Sequence, residues 1–568
     1  MEGAEKNKAV KKNQKWQAIS QGVLLLGILV LMNVISSFVF TRIDLTEDKR
    51  FTLSNNSKSL VSNLKDIVYI RVYLEGNFSP GFSRLQQSTR EILDELSIYS
   101  KGNLQYEFVD PSANPDEAER NKFYAQLYQK GIQPTTVEER TNEGVKRTYI
   151  FPGALVSYAN VEMSLMLLKN QQGFPPELIL NNSIQNLEFE ICNVIRKVTN
   201  PMLPSIAFLE GHGELDTSQV ADIANALKAS YELKRVVLNG RLDALKDFKA
   251  LVIAKPEFPF DEKDKFVIDQ FVMKGGKLIV LLDPMIAEMD SLQRRGEIVS
   301  PARDLKLDDM LFRYGARVNY DLVQDLLSSL IPVVTGMVGN QPKQQLLPWY
   351  FFPLMNPTSK HPIVNNLNSI KGQFVSSIDP INATGVNSTI LLTTSQYSRI
   401  LPAPVRVSLG IMQYKPDPKM FPQKDVPVAV LLEGKFTSLY KNRIPPAIAE
   451  SKEINFKESS VENKVVVISD GDIIRNDIVK GAPVPLGFDR YTNTTYGNKS
   501  FFLNVMDYLC DDSGLMSVRS KEIRLRMIDP AIIESDTTFL KWLNVTLPLF
   551  FLMLFGVLKF YLRKRRYA

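Results

Sequence analysis

Two apolar segments, one toward each end, constrain this chain more than anything between them. The run from Ala18 to Phe40 carries no charge, and a second apolar run extends from Trp542 to Leu558. A membrane-crossing helix needs roughly 20 apolar residues to span a hydrocarbon core of about 30 Å. The first run meets that length, and the second is near its lower limit. Trp542 and Tyr561 stand at the ends of the second run, where interfacial anchors sit. The expected organisation is therefore a large folded block held to a membrane by transmembrane helices over 18–40 and 541–560.

Lys6, Lys8, Lys11, Lys12 and Lys15 precede the first run, and Lys559, Arg563, Lys564, Arg565 and Arg566 close the second. Lys/Arg bias near membrane segments sets topology, so both tails, 1–17 and 561–568, are expected in the cytoplasm. Residues of about 41 to 541 then lie outside. The alternatives are a cleaved signal peptide for the first run and a buried C-terminal helix for the second. Ser36, Ser37 and Phe38 offer no small-residue cleavage site. Gly22, Gly27, Asn33 and Ser36 in the first run, with Asn544 and Thr546 in the second, are candidate contacts to partner membrane helices. Tolerated polarity near the segment ends is the alternative.

These flanks account for most of the net charge of +6, so the block between carries no basic footprint for nucleic acid. Cys192 and Cys510 read as two separate buried thiols, with pairing in an oxidising compartment as the alternative. Two cysteines and two histidines, His212 and His361, make no metal site, and no cofactor motif is present.

Residues 41–175 read as a small α/β unit. Strands are expected over Ile67–Leu74 and Leu104–Val109, around an amphipathic helix Arg84–Tyr99. Tyr149–Phe151, Gly153–Tyr158 and Met163–Leu168 are expected as closing strands. This arrangement resembles a thioredoxin-like fold without its C-x-x-C motif. A connecting helix Asn182–Val198 and a linker, together 176–204, lead to a larger domain, 205–515. There strands Ser205–Leu209, Glu232–Leu238, Ala250–Ala254, Lys277–Leu282, Ile390–Thr394, Val428–Leu432 and Lys464–Ser469 alternate with helices Thr217–Ala229, Asp261–Lys274, Asp308–Tyr314 and Lys499–Leu509. Such alternation implies a mostly parallel sheet with helices on both faces. The stretch 330–375 reads as an insertion or cover element, and 516–540 as a linker.

Loops at the carboxyl ends of strands line the ligand crevice of open α/β sheets. Glu210-Gly211-His212-Gly213-Glu214 follows the first strand of the larger domain and is a candidate ligand or partner site. Its alternative is a turn that positions structural contacts. Asp470-Gly471-Asp472 follows a strand as well and reads as a solvated turn, with a cation site as the alternative. Asp283-Pro284 lies on the same edge and reads as a strand terminator. The chain has no G-x-x-x-x-G-K-[ST] loop and no G-x-S-x-G elbow, so it carries neither the P-loop nor the usual α/β nucleophile.

An ordered set of motifs carries a family resemblance: IAFLEGHGELD, GGKLIVLLDP, LFRYGARVNYDLV, VAVLLEGKFTS, KVVVISDGDIIRND and GNKSFFLNVMDYL, between two anchors. Essentially the whole chain resembles the auxiliary, substrate-binding-like component of gliding-motility ABC transporters, the GldG type. The resemblance implies a flavodoxin-type, glutamine-amidotransferase-like larger domain. The turn matching its nucleophile elbow, Asp283-Pro284, holds no nucleophile. It implies a non-catalytic subunit of the bacterial inner membrane, its bulk in the periplasm. Implied partners are a multi-span permease and a separate cytoplasmic ATPase, with envelope or motility proteins and two copies per complex as further expectations. The alternatives are an envelope scaffold without a small-molecule ligand, and a glycan- or peptide-acting enzyme using Glu210, His212 and Glu214.

Overall fold

The computed structural model describes residues 20–28, 30–32, 53–76, 78–141, 144–169, 175–200, 203–338, 341–357, 359, 361–365, 367–414, 416–444, 454–511, 514–515 and 530–567. The chain divides into two units: residues 53–521, and the terminal segments 1–52 and 522–568 taken together.

In the terminal unit, Pro530–Tyr567 is one helix of 38 residues with Pro548 inside it. Its stretch Val545–Leu562 is long and apolar enough to cross a membrane, with mean hydropathy 2.0 and nothing packed over it. The expected linker 516–540 is thus shorter, because residues 530–540 already belong to the helix. Proline at the first position of a helix costs no internal hydrogen bond, so Pro530 is a natural start. A shorter apolar helix spans Ser20–Met32 and contains Gly22 and Gly27, beside which a Cβ would meet nothing within 4 Å. Asn33 and Ser36 lie outside the described residues. The Thr546 hydroxyl donates to the Trp542 carbonyl at 2.8 Å, so it is satisfied within its own helix.

In the larger unit, a four-stranded sheet runs in the order Leu104–Phe108, Val68–Val72, Gly153–Tyr158, Val161–Met166. The first pair is parallel and the others antiparallel. Tyr149–Phe151 is not one of its strands. Gly144–Ile150 instead pairs with Thr135–Thr141 in a separate ribbon. Helix Pro176–Thr199 is more than a connector. Its Leu187, Ile191, Cys192 and Ile195 are buried in the core that also holds Val68, Ile70, Leu93 and Val156.

The ten-stranded sheet is mixed rather than mostly parallel. Glu232–Val237, Ser205–Glu210, Ala250–Ala254, Lys277–Leu281 and Ser459–Ile468 are parallel neighbours in that order. Beyond Ser459–Ile468 the order continues antiparallel through Pro427–Thr437, Val386–Thr393, Gln341–Pro357 and Ser328–Val338, and the tenth strand, Ile370–Lys371, pairs antiparallel with Gln341–Pro357 off this path. Parallel neighbours need a crossover of a dozen or more residues, usually a helix. The described residues between Val386 and Ser459 include no α-helix, so those strands return antiparallel. The stretch 330–375 is also no simple cover: it supplies the hairpin that ends the sheet. Its Trp349, Phe351 and Phe352 build a second small core with Leu322, Val405 and Val407.

The central strands are buried on both faces. Ile206, Val252, Ile279 and Val466 face one core with Ile223 of helix Ala221–Leu227 and Phe501, Phe502 and Val505 of helix Asn498–Cys510. Ala207, Ile253, Val280 and Val467 face the other, with Ile268 of helix Glu262–Met273 and Tyr314 of helix Asp308–Tyr314. Each of the two cysteines is a buried thiol, and burial pushes the Cys192 thiol up to about 12.

Candidate functional site

The carboxyl ends of four parallel strands converge on one edge of the sheet. Register brings their chemistry together. Leu281 is level with Ala254 on one side and Ile468 on the other. The pairing runs one step further, because the Lys255 amide donates to the Leu281 carbonyl and the Leu282 amide to the Ile468 carbonyl. Lys255, Asp283 and Asp470 therefore emerge side by side just past the strands.

Lys255 is 3% exposed and sits at φ +55°, a left-handed conformation that an L side chain adopts at a cost of about 1–3 kcal/mol. Its ammonium lies 2.8 Å from both carboxylate oxygens of Asp472, 3.1 Å from Asp283 and 3.6 Å from Glu288. Burial works against its charge, but the Asp283, Asp472 and Glu288 carboxylates outweigh burial and hold the proton on more tightly than usual. Arg475 adds a second cation 3.1 Å from Asp472. Gly471 makes the close approach possible, since a Cβ there would sit 2.6 Å from Cβ and Cγ of Lys255.

Asp470-Gly471-Asp472 is thus a buried turn and not a solvated one, and Asp283 does more than end a strand. Asp470 is fully buried and accepts the Asp472 amide at 2.8 Å and the Gln373 amide at 2.9 Å. Asp283 accepts the Gly471 amide at 2.5 Å. Burial, with the Asp283 and Asp472 charges, raises the Asp470 carboxyl well above its usual range. Burial raises Asp283 to about 6 against the opposing pull of Lys255. Asp283, Asp470 and Asp472 offer carboxylate oxygens within 4.8 Å of one another. The tethered ammonium of Lys255 already supplies the cation that such a group calls for.

The GHGE loop is built differently. The His212 ring stacks on Phe260 at 3.8 Å, its Nδ1 is 3.4 Å from Glu214 and its Nε2 3.4 Å from Asp264. The Glu214 carboxylate accepts the His212 amide at 2.8 Å, and the His212 carbonyl accepts the amides of Glu257 and Phe258. Gly211 and Gly213 take φ +122° and +78°, the conformations that close this loop. Glu210 points elsewhere, to Arg235 at 2.9 Å. The loop is held by these contacts, and its Gly213 lines a cavity. His361 lies edge-on to the Tyr508 ring at 4.7 Å, and its Nδ1 accepts the Ile363 amide at 3.3 Å.

Between these loops the surface opens. A cavity of about 360 Å3 is lined by Gly213, Gln219, Lys255, Glu288, Arg303 and Arg475. A second, about 430 Å3, shares Gln219, Glu288 and Arg475 with it and reaches to the hairpin residues Ile331 and Phe352. Together they form a cleft with the Lys255–aspartate cluster in its floor. Sequence reading missed Lys255, Arg475 and Glu288. The available signal was a lysine directly after the uninterrupted apolar run Ala250–Ala254.

A family model described as "ABC-type uncharacterized transport system" matches residues 203–505, slightly more than half of the chain and all of the cleft. The chain belongs to this ABC-type transport-system family. It is an auxiliary component of such a system, which works in association with an ABC permease and ATPase. Residues 47–157 match a separate domain of unknown function. A relative from Borreliella burgdorferi, itself an uncharacterized protein, is 21% identical over 523 residues, 91% of each chain. Among solved structures, the mmIFT52 N-terminal domain is matched over 56% of this chain and all of that domain, at 13% identity and a TM-score of 0.31. In this auxiliary component, family membership and the exposed apolar C-terminal helix both point to membrane association.

Proposed function

We propose that this auxiliary component is a non-catalytic, doubly membrane-anchored subunit of an ABC-type transporter associated with gliding motility. The observation that carries the reading is the family match across the cleft-bearing domain, in a chain that also ends in an exposed apolar helix. Both termini are cytoplasmic and the bulk is periplasmic, in keeping with the basic residues that flank the two apolar runs. The helices lie in lipid beside a multi-span permease, and ATP turnover in a separate ATPase reaches the periplasmic block through them. The block presents its cleft to a ligand or an envelope partner, such as a motility protein, with two copies per assembly. Coupling of this kind requires contacts that differ between two states of the permease.

The deciding experiment is a mild-detergent pull-down of the tagged full-length chain from its native membrane, with mass spectrometry of what accompanies it. Stoichiometric recovery of a permease and an ABC ATPase supports the proposal. Recovery of the chain alone, or with unrelated envelope proteins, overturns it in favour of a scaffold.

A further inference from the structure

The geometry points to a specific ligand class for the cleft: a short zwitterionic peptide with an apolar side chain. This rests on the reading of the chain as a ligand-presenting subunit.

The cleft lining is of two kinds. One is apolar and aromatic: Ile331 and Phe352 on the hairpin, with Phe374, each at most 6% exposed overall yet each lining the cavity. The other carries charges of both signs. Several are already matched: Lys371 pairs with Asp489 at 3.0 Å, Arg475 with Asp472 at 3.1 Å, and Glu288 lies 3.6 Å from Lys255. Asp290, Asp477 and Arg490 also line the cavity; the Asp477 carboxylate acts on Arg475, whereas Asp290 and Arg490 lie within ion-pair distance of no opposite charge among the described residues. Arg490 lies against the Tyr491 ring at 4.7 Å and gives one N–H to the Tyr491 hydroxyl, which leaves its other donors open.

A cavity of about 430 Å3 lies in the range of small-molecule sites, roughly 300–1,000 Å3. An open carboxylate, Asp290, and an open guanidinium, Arg490, in one cleft satisfy an ammonium and a carboxylate on the same ligand. A purely anionic ligand would face Asp290, Asp477 and Glu288, and a purely cationic one would face Arg490 and Arg475. The aromatic part of the lining takes an apolar side chain. Guanidinium grips carboxylate with paired N–H donors, so Arg490 is the carboxylate end and Asp290 the ammonium end.

The test uses the full-length chain in detergent with a panel of dipeptides, Ala-Phe, Ala-Leu and Ala-Ala. Each is also prepared N-acetylated and C-amidated. Binding is read by titration calorimetry and by the shift in melting temperature. The expected result is tighter binding of Ala-Phe and Ala-Leu than Ala-Ala, with at least a tenfold loss on capping either end. Arg490→Ala should remove the penalty of C-amidation, and Asp290→Asn should weaken the penalty of N-acetylation. Both residues are exposed, so both variants should melt with the parent. No binding by any free dipeptide at millimolar concentration, or equal binding of free and doubly capped forms, overturns the assignment. The pull-down is independent of this result, because it reads the transporter partners whether or not a peptide binds.

Discussion

The Asn56 side-chain amide donates to the Gly514 carbonyl at 2.8 Å across 458 residues of chain. Leu53 and Leu515 are buried in the same core cluster. Residues near the two ends of the described part of the larger unit therefore meet at one corner. Helix Asn498–Cys510, whose Asn498 amide holds the Lys371 and Ile473 carbonyls beside the cleft, leads to that corner. Asn56→Ala should cost only about 0.5–1 kcal/mol, as this hydrogen bond is solvent-exposed. It should nevertheless speed proteolysis after residue 511 several-fold, read by limited digestion of the full chain. An unchanged digestion pattern would show that the corner is held by Leu53 and Leu515 alone.

Lys255 neutralises a buried acidic group, and breaking such a pair leaves charge without compensation. Lys255→Met should destabilise the larger unit by about 3–5 kcal/mol. Adding Asp472→Asn to Lys255→Met should restore part of that loss. Thermal melts of the two singles and the double form the cycle. Simple additivity would mean that the two groups do not interact.

The raised carboxyl of Asp283 gives stability a definite pH dependence. The unfolded group titrates near 3.8 and the folded one near 6. The folded state therefore binds more protons in that window, and the contribution of Asp283 is fully present below about pH 4. It is lost as pH rises through about 6. Asp283→Asn removes this titration, so the parent should lose melting temperature relative to the variant from pH 4 to pH 7. A parent that gains on the variant over that interval would reverse the assignment.

His212 and Glu214 serve the fold of their loop. His212→Ala and Glu214→Gln should each cost about 1–3 kcal/mol through lost stacking and an unmatched buried partner. Neither change should alter co-purification of the permease and ATPase. Loss of those partners at unchanged melting temperature would show that the loop is a contact surface.

Much of the fold was legible in the sequence where the signal is local. Ala250–Ala254 and Asp308–Tyr314 fall where apolar continuity and a glycine stop put them, with Gly315 left-handed at φ +116°. Helix Glu262–Met273 begins at Asp261, whose side chain caps the Asp264 amide. The antiparallel half of the sheet was not legible, because a β-branched run has the same period whichever way its neighbour points.

The sequence by itself determined the apolar ends, the alternation of buried strands with helices, and the acidic turns on one sheet edge. Only the tertiary structure decided what those turns are. Lys255 and Asp472 are 217 residues apart, and nothing in the chain near either one names the other. Strand register brings them to the same edge, and burial makes the carboxylates costly unless a cation joins them. Local pattern records which residues avoid water; it does not record which distant charge will be there to meet them.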